Sequence, residues 1–335
     1  MKQHLFYSLF LTLFFLVSCK EKYEPPAIKT DLGYLVVDGS LINGPDSTII
    51  RLSRTKNLGA NPASSGEQGA QMTVEDAAGN TVYNFTPVND NGLYTVPGMN
   101  LDINKKYKLR INTTDGNQYV SDDVIVKETP SIDSVSWQRS NDGVIIYANT
   151  HDPQNSTKYY RWEYTETWDY YMNYFSQIKY QVTSTGEIKF PTRTTDELVY
   201  HCWKTVHSTE ILLGSSSKLS QDIIILDPVR FIPVSSFEIS SVYSILVKQY
   251  ALTREAFEYF ENIKKFSEQT GSLFDAQPSQ LNSNIHCVGK PGELVIGFVA
   301  ASSLQQQRIF ITKQQVNPWN YSVYCPPERT VPPES

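Results

Sequence analysis

The residue with the clearest chemistry in this sequence is Cys19, which follows Leu16-Val17-Ser18. An apolar run from Leu5 to Val17 precedes it and is shorter than the roughly 17–25 residues of a spanning helix, which predicts a signal peptide over residues 1–18. A small residue followed by Cys is the lipobox pattern, in which bacteria diacylate the Cys and make it the mature amino terminus. Several acyl chains on one Cys hold a protein on a membrane. We therefore predict export and a lipid anchor at Cys19, with plain secretion as the alternative.

The other cysteines are Cys202, Cys287 and Cys325, and after export they would meet an oxidising compartment. The simplest arrangement is one disulfide and one free thiol. We favour a Cys287–Cys325 bridge, because the strand that carries Cys287 and the chain beyond the last strands could lie side by side. Such a bridge would hold the carboxyl-terminal end. The other pairings, and three buried thiols, stay open.

A metal site would have to be built from His201-Cys202, His207 and His286-Cys287. Neighbouring residues on a strand point to opposite faces, so His201 and Cys202 do not easily share one ion. The spacing also matches none of the usual zinc patterns. We predict no metal and no cofactor.

Enzyme motifs are missing from the sequence, which has neither a Gly-x-Ser-x-Gly elbow nor a His-Glu-x-x-His helix. Asp and Glu are spread along the whole chain. Their positions in the sequence therefore neither indicate nor exclude a carboxylate pair for glycoside cleavage. We predict a non-enzymatic protein without catalytic residues.

Aromatic side chains are concentrated between Tyr159 and Tyr180. At first they alternate with polar residues, which predicts a strand with Tyr160, Trp162 and Tyr164 on one face, filling a core. The alternation then breaks down, which predicts a loop that exposes rings for stacking on a sugar or docking a protein, with core packing as the alternative. The candidate binding surface consists of these loop residues: Trp168, Tyr170, Tyr171 and Tyr174.

Composition narrows the class of protein. The chain has 29 Lys and Arg against 35 Asp and Glu, without a basic tract, which argues against nucleic acid as a partner. Its 21 Tyr and 15 Phe, together with abundant Thr, Ser and Val between turn residues, favour a mainly β fold.

The predicted fold is built mostly from short strands. We predict that residues 19–32 form an extended tether. From residue 33 to 130, about seven short strands alternate with turns such as Ala78-Gly79-Asn80 and Asp115-Gly116, in which Gly supplies a positive φ. That spacing predicts an immunoglobulin-like or fibronectin-like β-sandwich.

A second β-rich domain is predicted over residues 131–325, with one helix at about 253–270. Thr253 suits the N-cap of this helix and Gly271 the position after its end. The runs Gly292–Ser302 and Arg308–Lys313 predict a closing hairpin. Residues 326–335 contain paired prolines and predict a flexible tail.

Besides the lipobox, a set of segments spread along the chain is informative: Leu35-Val36-Val37-Asp38-Gly39, Tyr159-Tyr160-Arg161-Trp162-Glu163, Cys202-Trp203, Val247-Lys248-Gln249-Tyr250, Asn284-Ile285-His286-Cys287 and Val295-Ile296-Gly297-Phe298. Together they resemble a family of Bacteroidota lipoproteins named domain of unknown function 4249, and the resemblance covers nearly the whole mature chain. It implies an outer-membrane lipoprotein, often encoded near TonB-dependent receptors, and a surface accessory to nutrient uptake. Lys20-Glu21 resembles the signal that sends lipoproteins of this phylum to the outer face.

The leading prediction is a non-enzymatic lipoprotein, anchored in the outer membrane and facing the cell exterior, that helps a TonB-dependent receptor capture or take up a ligand. A surface adhesin or carbohydrate-binding module acting without a transporter is the first alternative. A hydrolase is the second.

Overall fold

The computed structural model describes residues 33–56, 66–89, 91–172, 176–198, 200–268 and 282–320. Regular structure in these residues is mostly β, which confirms the mainly β fold class. The predicted signal peptide, Cys19, the tether and the tail lie outside the described residues.

Most of the strands are short. In the first part of the chain they are β1 (Leu35–Asp38), β2 (Leu41–Asn43), β3 (Thr48–Arg54), β4 (Gln71–Asp76), β5 (Thr81–Asn84), β6 (Thr86–Asn89), β7 (Leu93–Val96), β8 (Lys106–Asn112), β9 (Gln118–Ser121) and β10 (Val124–Lys127). In the middle they are β11 (Ile132–Arg139), β12 (Gly143–His151), β13 (Tyr159–Tyr171), β14 (Gln181–Val182), β15 (Ile188–Lys189), β16 (His201–His207), β17 (Leu212–Ser215), β18 (Ile223–Pro233) and β19 (Val242–Ala251). The last elements are α1 (Arg254–Glu268), β20 (Ile285–Cys287), β21 (Ile296–Gly297) and β22 (Ala301–Thr312).

Two sheets pack face to face in the first part of the chain. One has the strand order β21-β1-β3-β7-β6, and the other includes β10, β8, β4 and β5, with β9 attached to β8 and β20 attached to β9. Side chains alternate across them, as in β3, where Ile50 and Leu52 are buried while Ile49 and Arg51 are exposed. The inward side chains of both sheets form one hydrophobic core. The predicted β-sandwich is confirmed, and β20 and β21 complete it from late in the chain.

Turns close its hairpins as the glycines predict. Gly79, between β4 and β5, and Gly116, between β8 and β9, both have a φ of +84°. A side chain with a Cβ rarely adopts that conformation, so Gly is the residue these turns require.

A second pair of sheets follows. The three-stranded sheet β11-β12-β18 lies against the end of a long sheet whose order there is β16-β13-β19-β22. Their shared core includes Ile146, Trp162, Ile232 and Tyr243, each exposed by no more than 1%. A layer of large aromatic and branched side chains between two sheets is a stable way of removing both inner faces from water.

This core also contains a charged cluster around Glu166, which is 3% exposed. Arg230 Nε lies 3.0 Å from the Glu166 carboxylate, and the Tyr243 hydroxyl donates to it at 2.8 Å. Because the carboxylate is paired and hydrogen-bonded in this way, its burial does not leave an uncompensated charge.

Strand β22 makes β16-β13-β19-β22 and β10-β8-β4-β5 one long sheet, which takes part in both cores. Its first residue, Ala301, lies opposite both Leu41 of β2 and Val126 of β10, and its residues 304–312 pair with β19. The predicted closing hairpin is therefore wrong: its second run belongs to one continuous strand, held by partners far away in sequence. The division of the chain into domains at residue 130 stays a prediction.

The predicted helix is confirmed as α1. Thr253 Oγ1 accepts the Ala256 N–H at 3.2 Å, which is the expected N-cap contact, and Ala256 and Tyr259 are buried. Gly271 lies outside the described residues. Among the described residues, no helix is long and apolar enough to cross a membrane.

Candidate functional site

The aromatic strand has the two faces that its sequence predicts. Tyr160, Trp162 and Tyr164 are buried, and Arg161 and Glu163 between them are half-buried on the opposite face. The predicted core role of the first aromatic residues is confirmed.

The predicted loop after this strand is wrong from Trp168 to Tyr171, because β13 continues to Tyr171 and pairs with β16 along that stretch. Trp168 is 3% exposed, and its ring meets Phe237 edge-on at 6.0 Å between centroids. It therefore belongs to the second core and does not form part of a surface.

The remaining candidate residues differ in how far their side chains are exposed. Tyr170 is half-buried and also meets Phe237 edge-on, at 6.2 Å, whereas Tyr171 is 56% exposed. Tyr174 lies outside the described residues. Of the four candidates, Tyr171 is the one that the structure places with its ring in solvent.

Tyr171 does not stand alone. Its ring is stacked on His201 at 4.3 Å with an interplanar angle of 7°, and His201 lies 4.1 Å from the ring of Trp203. Tyr200 lies 6.1 Å from Tyr171. We call these four residues, Tyr171, Tyr200, His201 and Trp203, the aromatic edge.

Strand register builds the aromatic edge. In the pairing of β13 with β16, Tyr171 lies opposite His201 and Asp169 lies opposite Trp203. Since alternate residues of a strand share a face, His201 and Trp203 point to the same side as Tyr171. β16 forms one end of the long sheet, so the rings lie at its margin.

Asp169 holds the stack in place. Its carboxylate accepts the Val242 N–H at 2.7 Å and the Ser241 hydroxyl at 3.2 Å, and His201 Nε2 lies 3.0 Å away. Burial alone would raise the pKa of Asp169, but these hydrogen bonds outweigh it and lower that pKa. The anion therefore persists and fixes the imidazole that supports Tyr171 and Trp203.

Exposure distinguishes the aromatic edge from the core beneath it. Trp203 is 65% exposed and Tyr200 39% exposed. Sequence reasoning treated His201 only as a metal ligand and gave no role to Trp203. The signal that could have found them was the period-two spacing of His201 and Trp203 on a predicted strand.

The segment between β13 and β16 adds more exposed apolar surface. Tyr180 beside β14 is 64% exposed, Phe190 beside β15 is 62% exposed, and their rings meet edge-on at 6.0 Å. Ile178, Val182 and Ile188 are also more than half exposed. A hairpin with so much apolar side-chain surface in solvent is typical of an interaction site.

The other candidate residues lie apart. Cys202 is half-buried on β16 and Cys287 is buried on β20 in the first core, and neither forms a disulfide with another described residue. Cys325 lies outside the described residues, so the Cys287–Cys325 bridge stays a prediction. His207 contacts Thr165, and His286 contacts Asp122. Within the described ranges, no His, Cys, Asp and Glu side chains cluster as a metal site would require.

Comparison with known proteins places the chain in a family. Residues 20–308 match the family model called domain of unknown function (DUF4249), and the chain belongs to that family. No curated protein matches the sequence.

Solved structures give only distant similarity. A biofilm-associated protein, in its BSP domain, is 13% identical with a TM-score of 0.20, over 64% of this chain and 26% of that one. Trypsin-activated alpha-2-macroglobulin from Escherichia coli is 12% identical with a TM-score of 0.21, over 67% of this chain and 15% of that one. The chain thus spans about a quarter or less of these proteins, and the similarity supports no conclusion about function.

Proposed function

We propose that this protein is a non-enzymatic binding protein, anchored in the outer membrane through lipid on Cys19 and facing outward, that uses its aromatic edge to help a TonB-dependent receptor capture or take up a ligand. The observation that carries this proposal is the ordered stack of Tyr171, His201 and Trp203 at the margin of the long sheet.

A stack of this kind is better suited to binding than to stability. Trp203 keeps most of its surface in water, so folding gains little of the free energy that burying a Trp supplies. Rings already fixed by Asp169 lose little conformational entropy when a partner covers them. Trp and Tyr are also the side chains most often found at the energetic centres of protein interfaces.

Anchoring and the receptor partner are supported by sequence. The lipobox at Cys19 predicts the anchor, and membership of the family supports the resemblance from which the receptor partner is inferred. The exposed hairpin around Tyr180 and Phe190 offers additional apolar area for a large partner.

Sugar binding without a transporter is the second candidate. The face that carries the aromatic edge also carries Thr165, Thr167 and Thr205, and the hydroxyls of Thr167 and Thr205 lie 2.9 Å apart. Rings that stack on sugar faces beside hydroxyls that exchange hydrogen bonds are a combination that favours carbohydrate.

A pull-down from gently solubilised outer membranes tests the proposal. The full chain, tagged at its carboxyl terminus and processed at Cys19, is expected to recover a TonB-dependent receptor. A Cys19→Ser variant, which cannot be acylated, serves as the control for co-localisation in the membrane. Recovery of the processed chain alone, together with binding on a glycan array, would contradict the receptor role and favour the second candidate.

A further inference from the structure

A cleft lies between strands β1 and β3 of the first sandwich and strands β13 and β19 of the long sheet, on the opposite side of β13 from the second core. Two adjoining cavities of about 320 and 590 Å³ share Asp38, Gly39, Arg51, Arg161 and Glu163. These volumes are in the range of small-molecule sites.

Arg161 and Glu163 form an ion pair inside the cleft, and neighbouring side chains contact both of them. Arg161 Nη2 donates to Glu163 Oε1, and the Tyr250 hydroxyl donates to Glu163 Oε2 at 3.1 Å. The Arg161 guanidinium also lies 4.5 Å from the centroid of the Phe260 ring. Both carboxylate oxygens of Glu163 are therefore in use, and the position of Arg161 is fixed by a carboxylate and by a ring.

Two other cations in the cleft have no such partner. Lys248 lies directly across the strand pair from Glu163 and is half-buried, and Arg51 lies directly across from Asp38. The side chains of Lys248 and Arg51 make no hydrogen bond and no ion pair with any of the described residues. A partly desolvated ammonium gains from a further opposite charge, since Glu163 already pairs with Arg161.

The side chains that line the smaller cavity carry more positive than negative charge. Arg51, Arg161 and Lys248 face Asp38 and Glu163 there, while Glu210 lines the larger cavity. The larger cavity also has an apolar wall, which consists of Tyr259, Phe260, Ile263, Ile296 and Phe298.

We propose that this cleft binds a small amphipathic anion, whose carboxylate, phosphate or sulfonate group pairs with Lys248 and Arg51 while an apolar ring or chain lies against Phe260 and its neighbours. Arg and Lys are the side chains that recognise such oxyanions, and an apolar wall adds affinity without adding charge. This site is separate from the aromatic edge, so it goes beyond the proposed function and does not depend on it.

Fluorescence titration with 8-anilinonaphthalene-1-sulfonate tests the proposal, because that probe joins a sulfonate to aromatic rings. The mature full chain is expected to bind it saturably at one site. An Arg51→Gln, Lys248→Gln double variant is expected to bind at least about tenfold more weakly, which corresponds to about 1.4 kcal/mol. A Lys105→Gln, Lys218→Gln variant, with the same change of net charge outside the cleft, is expected to bind like the wild type.

A neutral analogue keeps the test decisive if the double variant does not fold. N-phenyl-1-naphthylamine lacks the sulfonate and is expected to bind the wild type at least about tenfold more weakly. Raising the salt concentration from about 0.05 to 0.5 M is expected to weaken only the sulfonate probe, since salt screens partly exposed charges. Equal binding of both probes, or unchanged binding in a folded double variant, would overturn the proposal.

Discussion

At the scale of single residues, two tryptophans on neighbouring strands have different roles: one is packed in a core and the other is exposed to solvent. Trp168 on β13 is 3% exposed, and Trp203 on the neighbouring β16 is 65% exposed. Sequence reasoning placed Trp168 at a binding surface because the alternation of apolar and polar residues ends near it. It could not assign Trp203, because the exposure of that ring depends on β16 being the end strand of the sheet, which is a property of pairing between distant segments.

Asp227 on β18 gives a prediction at this scale. Burial is the main cause that raises its pKa from an ordinary 3.8 to about 6, and Lys264 opposes this effect. The folded state therefore resists ionising Asp227, so the residue destabilises the fold above about pH 6, and this penalty fades as the pH falls towards 4. Asp227→Asn is expected to raise the melting temperature by a few degrees at pH 7.5 and by almost nothing at pH 4.

Melting curves at the two pH values check this prediction. Asp196→Asn, at an exposed position in the segment between β15 and β16, is the matched control and is expected to change neither curve. A lower melting temperature for Asp227→Asn at pH 7.5 than for the wild type would contradict the expected cost of the half-buried carboxylate.

At the scale of elements, local sequence patterns predicted which strands and which helix form more accurately than they predicted the residues at which these elements end. The strand faces of Tyr160, Trp162 and Tyr164 follow from period-two spacing, and the start of α1 follows from the N-cap residue Thr253. The ends of β13 and β22 do not follow, because β16 and β19 extend them by pairing. Strand length is decided by partners that a local window does not include.

The cap of α1 gives a prediction for an element. Thr253→Ala removes the side-chain oxygen that accepts the Ala256 N–H and is expected to cost about 1 kcal/mol, or a fall of about 2–4 °C in melting temperature. Thr253→Ser keeps the oxygen and is expected to melt close to the wild type. Equal losses in both variants, measured by thermal denaturation, would show that the methyl group and not the cap is responsible.

At the scale of the whole molecule, composition predicted the mainly β class, and the spacing of strands and turns predicted the first sandwich. It could not predict that β20, β21 and β22 return to the first sandwich, since β1 and β21 join residues as distant as Val36 and Ile296. Contacts of this length leave no periodic signal in either segment. The candidate site also combines local and distant residues. Tyr171 was predicted from the local density of aromatic residues, whereas His201 and Trp203 lie beside it only because of the register between β13 and β16.

The most direct test compares a double variant of the aromatic edge with the wild type in the pull-down and in a melting experiment. Tyr171→Ser, Trp203→Ser is expected to change the melting temperature by less than about 3 °C, because both rings are mostly exposed. Recovery of the receptor is expected to fall at least about tenfold, since two ring contacts contribute about 0.5–1.5 kcal/mol each beyond their buried area. Trp168→Ala, the core control, is expected to lose about 3–5 kcal/mol of stability. Undiminished recovery of the receptor by a folded double variant would contradict a binding role for the aromatic edge, and a fall of more than about 10 °C would show that these rings stabilise the fold instead.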